Sequence, residues 1–502
     1  MTFVDASVLE DGTLVRSDIC VVGAGAAGIT LALALGGAGR DVALLESGGL
    51  EREPETEKLQ EARNLDPRYP LARSRLRYLG GATNHWGGLC RQLDPDDFVA
   101  HSWMEASGWP LGRQDLEPYY EKARPILDLP RARPPSDLEG EASTYPPLLG
   151  LRNAAFTPFL WLKSQPTRIG IKYRDELAQH ARVRCLLHAT AVELVANREA
   201  TLVTGIEART LAGRRLRFTA RHYVLAAGGI ENARLLLLSD SVVPAGLGNR
   251  YGLVGRYFMD HLNQVVGTMA VMSPPPAAAF REEQLARRQV PGVLPGLIAF
   301  TTTPRLRAEH RLFACALNAT RDLRKAPEAA AVEELLADPM GTTPPETRPA
   351  VRRYWLTATA EQSPNAASRV FLSDERDALG SRKLTVDLRL TEDDVRSVRE
   401  TLRLFGLDLA RAGHGRVQTR EVGEAGWYML GGHHMGTTRM ADDPRRGVTD
   451  RDGTVHGVAN LHVAGSSLFP TSGFANPTLT IIALALRQAD RLKVASEPRG
   501  GR

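Results

Sequence analysis

The sequence predicts an α/β protein, α+β overall, in which a Rossmann-like dinucleotide-binding domain is joined to a discontinuous antiparallel-sheet domain. Three observations predict it. A strand-like run, a glycine pattern and an apolar helical segment follow one another before residue 36; two more strand-to-glycine junctions lie far downstream; and strand-like pieces fill the middle of the chain.

Taken in order, Asp18–Val22 is an apolar run of strand length leading into Gly23-Ala-Gly25-Ala-Ala-Gly28 and the helical segment Ile29–Leu35. Val42–Leu45 is a second strand and closes a βαβ unit. Residues 51–75 are polar and read as loop with some helix, Gly80–Gly88 is glycine-rich, Leu116–Leu127 reads as helix, and the Pro-rich stretch 130–147 as an irregular connection. Thr190–Val195, Val203–Ala208 and Arg215–Thr219 alternate with turn residues between them and predict short strands. His222–Gly229 is a buried strand ending in glycines, followed by a helix at Ile230–Leu238. Pieces at 262–272, 295–303, 351–359, 368–372 and 383–389 predict an antiparallel sheet, with a helix at 391–413; 273–280 and 326–349 are Pro/Ala-biased and read as surface excursions. The chain returns to a strand at Leu461–Gly465 and closes with a long helix after Pro477. The expected division is a dinucleotide-binding domain of 1–110, 166–260 and 436–502, and a substrate-binding domain of 111–165 and 261–435.

The 502 residues carry 43% hydrophobic and 24% charged side chains, which excludes wholesale disorder and allows a large core. The net charge of +5 is spread along the chain among 58 acidic residues, with no basic run interleaved with aromatics, so nucleic acid is not expected as a partner. The four cysteines form no C-x-x-C pair and suit neither a zinc site nor a disulfide framework, and no metal is expected. No uninterrupted apolar stretch reaches spanning length and the N-terminus lacks a signal pattern, so a cytoplasmic location is the expectation.

In the βαβ unit Gly23 suits the tight turn, Gly25 the approach of backbone to a pyrophosphate, and Gly28 the packing of helix on strand. The helix N-terminus offers free N–H groups to a diphosphate. Glu46, 18 residues after Gly28, stands where a carboxylate accepts from ribose hydroxyls. From this unit alone FAD and NAD both remain open. Val224–Gly229 and Val463–Ser466 favour FAD, because they complete a doubly wound sheet with distant segments under one long cofactor.

These residues, with Ala226-Ala-Gly-Gly-Ile-Glu-Asn-Ala-Arg234, Gly432-His-His-Met-Gly-Thr-Thr-Arg-Met440, Asn460–Pro470 and Gly473-Phe-Ala-Asn-Pro-Thr-Leu-Thr480, resemble the glucose–methanol–choline (GMC) flavin oxidoreductases over nearly the whole chain. Within that family the chain looks most like the pyranose oxidase and fructose/gluconate dehydrogenase branch. The resemblance implies FAD-dependent oxidation of CH–OH to C=O, a base taking the hydroxyl proton while a hydride goes to flavin N5. It places the base at His433, three residues before Gly436-Thr437, and a hydroxyl-orienting amide at Asn476, 43 residues further on. Adjacent side chains of an extended loop point in opposite directions, so His434 is read as packed behind the site. The helix beginning at Pro477 would aim its positive end at the reduced flavin.

By the same resemblance Gly80, Gly81, Asn84 and His85 lie against the isoalloxazine, His85 being where some relatives attach the flavin covalently, an attachment not favoured here because Asn84 replaces the relatives' threonine. Val192 would touch adenine through its backbone, and Ala227, Gly465, Ser466 and Pro477 would also face the cofactor. Met259-Asp-His261 is read as tying loops together. The implied partners are an alcohol, sugar, glycoside, polyol or hydroxylated natural product, and dioxygen or a quinone or other redox partner as acceptor; the chain could also form an oligomer. The alternatives are a non-redox lyase on the same fold or a catalytically idle flavin-binding subunit.

Overall fold

The computed structural model describes residues 3–129, 155–165, 167–271, 296–321, 351–413, 415–420, 422 and 432–495. The expected excursions at 273–280 and 326–349, and the connection at 130–147, lie outside the described residues.

A six-stranded parallel sheet forms the base, in the order Phe3–Asp5, Val183–Leu187, Val42–Leu45, Ile19–Val22, His222–Leu225, Leu461–Val463. Ile19–Val22, Val42–Leu45 and Leu461–Val463 are buried at every position, the pattern of a parallel strand covered on both faces. Helix Ala26–Gly36 packs on the C-terminal helix Thr478–Ala495, which in turn carries helix Arg113–Ile126. The register pairs Leu225 with both Val22 and Val463. The three strands therefore end side by side, and their three glycine-bearing turns open at one edge.

Thr190–Ala196, Val203–Arg209, Arg215–Thr219 and Thr13–Arg16 form a four-stranded sheet. Its ladder pairs Glu207 with Glu193 and Ala208 with Ala191, so Val192 is the extra residue of a β-bulge.

The antiparallel sheet has seven strands: Gly415–Thr419, Leu262–Val271, Arg352–Ala360, Cys315–Arg321, Gly296–Thr302, Phe156–Lys163 and Leu89–Cys90. Two of the pieces assigned to it from sequence do not join it. Arg369–Arg376 and Arg382–Asp387 instead make a hairpin whose second strand pairs with Ala62–Asn64, because Leu384–Val386 finds its parallel partner there. Helix Glu392–Arg411 starts on a capping box: Thr391 Oγ1 accepts from the Asp394 N–H at 3.1 Å, and Asp394 Oδ2 from the Thr391 N–H at 2.6 Å.

Two contacts cross the division expected between domains. Helix Arg113–Ile126 lies on the C-terminal helix, with Tyr120 Oη 3.0 Å from Thr480 Oγ1, and Leu89–Cys90 belongs to the antiparallel sheet. A buried charge cluster joins further parts: Arg75 and Arg77 both reach Glu231, and Arg234 pairs with Asp377 at 2.7 Å. Burial alone would push the Glu231 carboxyl up; Arg77, Arg234 and Arg75 outweigh it and hold it at about 2.

Candidate active site

The opening above the parallel sheet is built from backbone. Gly23, at φ 103°, turns so tightly that a Cβ would stand 2.7 Å from the Ala226 carbonyl, and a Cβ on Gly28 would stand 1.8 Å from the Gly23 carbonyl. Gly25, Gly228 and Gly465, one at each strand-end turn, behave differently: a Cβ on any of them would meet no described atom within 4 Å. Three glycines facing open space along one sheet edge form a cradle for a long ligand. Gly25 is also the N-cap of helix Ala26–Gly36 and brings no side-chain cap to the first N–H groups of that helix.

Glu46 is buried at the next strand end, which pushes its carboxyl up despite its hydrogen bonds. Its Oε2 accepts from the Ala24 N–H at 3.0 Å and Oε1 from the Gly48 N–H at 2.9 Å. It thus braces the glycine turn, and the carboxylate keeps acceptor capacity for a ribose hydroxyl. Gly80 donates its N–H to the Ala24 carbonyl at 2.8 Å, which lays the Gly80–Asn84 turn over Gly25. A Cβ on Gly81 would stand 3.4 Å from Gly25 Cα. Asn84 commits one amide N–H to the Leu79 carbonyl, and His85 is exposed beside Arg168, whose charge adds to burial in lowering the imidazole pKa. Ser47, beside Glu46, meets Thr190 Oγ1 at 2.6 Å, two residues before the bulge at Val192.

At the other two strand ends, Asn232 is a residue that motif reading passed over. Fully buried, it accepts from the Ala227 N–H at 2.8 Å and donates to the Ala464 carbonyl and Ser467 Oγ, stapling both turns together. Its place in the Gly-Gly-Ile-Glu-Asn run after the strand is the signal that could have found it. The donor set and open glycines fit FAD, a long dinucleotide whose diphosphate takes N–H donors and whose ribose hydroxyls take a carboxylate.

The loop bearing His433 is bonded to this cradle. Thr437 Oγ1 donates to the Gly229 carbonyl, and Ser466 Oγ to the His434 carbonyl at 2.7 Å. Thr438 and Met440 donate their N–H groups to Ser467 and Leu468 carbonyls. From the other side, Met435 and Met259 exchange backbone hydrogen bonds at 2.9 and 3.0 Å.

Asp260 fixes the tip of that loop. Its Oδ2 accepts from Tyr69 Oη at 2.6 Å and the Gly432 N–H at 2.7 Å; its Oδ1 accepts from the His261 and His433 N–H groups at 2.7 and 2.9 Å. The two adjacent imidazoles then part. His434 turns in toward Ser74 Oγ at 3.2 Å and packs edge-on to Tyr69 and beside Phe258. His433 turns to His261, Nδ1 to Nδ1 at 2.9 Å. Burial holds His433 and His434 at about 4 and, with the neighbouring His433, His261 at about 3, so all three are neutral at neutral pH.

His261 Nε2 faces the Ser472 carbonyl at 3.5 Å, and Gly473, whose N–H is held by Glu361 Oε1 at 2.9 Å, leads on to Asn476. Asn476 donates to the Leu89 carbonyl at 3.1 Å, on the edge strand of the antiparallel sheet, and Pro477 follows at the start of the C-terminal helix. His433 thus meets His261, which faces Ser472, while Asn476, four residues beyond Ser472, is tied to Leu89. Among the described residues no group of three or more His, Cys, Asp or Glu side chains could hold a metal ion, and no helix is long and apolar enough to cross a membrane.

Residues 364–485 match the family model described as GMC oxidoreductase. The chain is similar to 6'''-hydroxyparomomycin C oxidase of Streptomyces lividus, with 28% identity over 95% of this chain and 92% of that one. It is similar also to paromamine 6'-oxidase of Streptomyces fradiae, with 27% identity over 94% and 90%. The solved structure of pyridoxine 4-oxidase from Mesorbium loti superposes with a TM-score of 0.57 at 17% identity, covering 94% of this chain and 98% of that one, which shows the fold.

Proposed function

We propose, from the premise that the chain is a GMC-type, FAD-dependent oxidoreductase acting on CH–OH groups, that His433 is its base and that its substrate is a sugar, glycoside or similarly hydroxylated natural product. The observation that carries the assignment of the base is the attachment of the His433 loop to two of the three cradle turns, through Gly229 and Ser466. A base fastened there would be held beside a cofactor bound in the cradle.

Gly23, Gly25, Gly28 and Glu46 would hold the diphosphate and ribose, the Val192 bulge the adenine, and Gly80, Gly81, Asn84, Ala227, Gly465, Ser466 and Pro477 the remainder. FAD, when bound, supplies the acceptor for the hydride. His433 takes the hydroxyl proton, the O–H electron pair stays on oxygen and becomes the second bond of the carbonyl, and the C–H pair leaves as the hydride. Asn476, its amide oriented by Leu89, fixes the hydroxyl. A neutral imidazole suits this work because burial keeps it unprotonated.

The sheet beside His261 supports a polyhydroxylated substrate. Alternation puts Asn263 on the face of His261. Asn263 accepts from Thr359 at 2.7 Å, Thr359 is met by Asn318, and Asn318 is met by Trp161 Nε1 at 2.9 Å, a polar row continuous across strands. The names of both relatives support an oxidase using dioxygen and a substrate of the paromomycin kind. Non-covalent FAD, the domain division given above and a cytoplasmic location belong to the same proposal; four buried free thiols suit a reducing compartment.

The test is the visible spectrum of the purified yellow protein without air, before and after a panel of sugars, glycosides, amino sugars and simple diols. Bleaching by the polyhydroxylated members is the expected result, with bleaching slowed by about 10²–10⁴-fold in His433→Ala at unchanged flavin content. Full-rate bleaching in His433→Ala removes the base assignment; a bleaching response confined to the simple diols removes the substrate class. Colour that survives acid precipitation removes the non-covalent reading.

A further inference from the structure

The Met259-Asp-His261 segment divides its labour. Asp260 ties loops, as its four accepted hydrogen bonds describe, but His261 sends its side chain to the imidazole of His433. His261 is 2% exposed, at the point where the chain enters strand Leu262–Val271, and its ring stands at 79° to that of His433 with centroids 4.9 Å apart.

A neutral imidazole has one N–H and one lone pair, and which nitrogen bears which is set by its partners. Two Nδ1 atoms at 2.9 Å bond only if one donates and the other accepts. The far side of His261 decides which. Its Nε2 faces the Ser472 carbonyl, which can only accept, so the His261 proton sits on Nε2. His261 Nδ1 is then the lone pair, His433 Nδ1 must donate to it, and the lone pair of His433 is left on Nε2. The reverse arrangement would aim two lone pairs at each other across the Nε2–Ser472 contact and would put the His433 proton on Nε2, where no base could work.

We propose that His261 is a positioning residue that holds His433 in the Nδ1–H tautomer, with its basic lone pair on Nε2. This rests on the reading of His433 as the base. When Nε2 takes the substrate proton, the Nδ1–H of the resulting imidazolium keeps its acceptor on His261, so the ring changes charge without changing partners. Asp260 supports the arrangement by holding the main-chain N–H of both histidines on one carboxylate oxygen, which leaves the two side chains free to meet. Burial keeps both rings neutral at neutral pH, the condition under which a tautomer is defined.

The experiment uses the FAD-loaded protein with ¹⁵N-labelled histidine. The His433 signals are identified by their loss in His433→Gln, and the spectrum reads directly which nitrogen carries the proton. The expected result is a protonated Nδ1 and an unprotonated Nε2 in the unaltered protein. In His261→Leu, which cannot accept, the His433 proton moves toward Nε2 and anaerobic flavin reduction slows by about 100-fold with KM little changed. His261→Asn places an amide oxygen near the lost Nδ1 and restores the tautomer and most of the rate. An Nε2–H tautomer in the unaltered protein overturns the proposal without any variant having to fold. So does a His261→Leu protein with the tautomer and rate of the parent. Full turnover in His433→Gln is a different outcome: it removes the base reading itself, whatever tautomer is found.

Discussion

The glycine cradle and the His433 loop meet at Gly229 and Ser466 but are built on opposite plans. The cradle is made of backbone: three strand ends, three glycines opening on empty space, and a helix terminus. The His433 loop is held by side chains from distant places: Asp260 and His261 reach residues 432 and 433 across 172 or 173 positions of sequence. A backbone site leaves a local signature, because only glycine tolerates the approach. A side-chain site does not, because any of twelve histidines could have met another. Robustness should differ as well: the cradle fails by steric collision, the His433 loop by loss of a few hydrogen bonds.

The sharpest break is expected in the cradle. Gly28→Ala drives a Cβ into the Gly23 carbonyl at 1.8 Å, so the turn itself must move. A loss above about 4 kcal/mol is expected, with little flavin retained, read by urea unfolding and flavin stoichiometry. Glu231→Gln ranks next. It strips the countercharge from Arg75, Arg77 and Arg234 in a buried cluster and should cost about 3–5 kcal/mol. Glu231 is held at about 2, below its unfolded value of about 4.3, so its contribution is complete above the unfolded value and is lost as pH falls toward 2; the variant should lose that part of the parent's acid dependence.

Beside the His433 loop, Asp260→Asn keeps the shape but turns one acceptor into a donor facing N–H or O–H groups. About 2–3 kcal/mol of stability should go, and flavin reduction should slow while flavin content stays near full. The pH profile sharpens the same side. Because burial sets His433 at about 4, the acid limb of kcat/KM should fall near pH 4 and not near 6.5. Between about 6.5 and 4 the unfolded chain binds the protons that His433 and His261 refuse, so stability should decline as pH falls through that window.

The smallest effect on stability is expected from Gly25→Ala. Its φ of −86° suits alanine and its Cβ would meet no described atom, so the apoprotein should melt as the parent does while flavin binding weakens severely. A clear loss of apoprotein stability would mean that the space in front of Gly25 is not reserved for a ligand.

Sequence reading located the βαβ unit, the two downstream junctions and the long helix after Pro477 because each is an apolar run punctuated by glycine or proline. It did not find Phe156–Lys163 or Cys315–Arg321. The first contains Pro158 and no alternation, and the second is alanine-rich; both are strands because Gly296–Thr302 lies between them and pairs with each. Likewise 368–372 and 383–389 look like strands of one antiparallel sheet until Ala62–Asn64, three hundred residues away, offers a parallel edge.

The site divides along the same line. The chain's own pattern pointed to the glycine turn and Glu46, and the family resemblance pointed to the His433-His434 pair and Asn476; each rests on residues within one segment. That His434 faces Ser74 while His433 faces His261, that Asp260 holds the loop between them, and that Asn232 joins two strand ends all depend on which segments the fold brings within about 3 Å. Hydrogen bonds are that short in range, and no pattern within one segment records what another will place beside it.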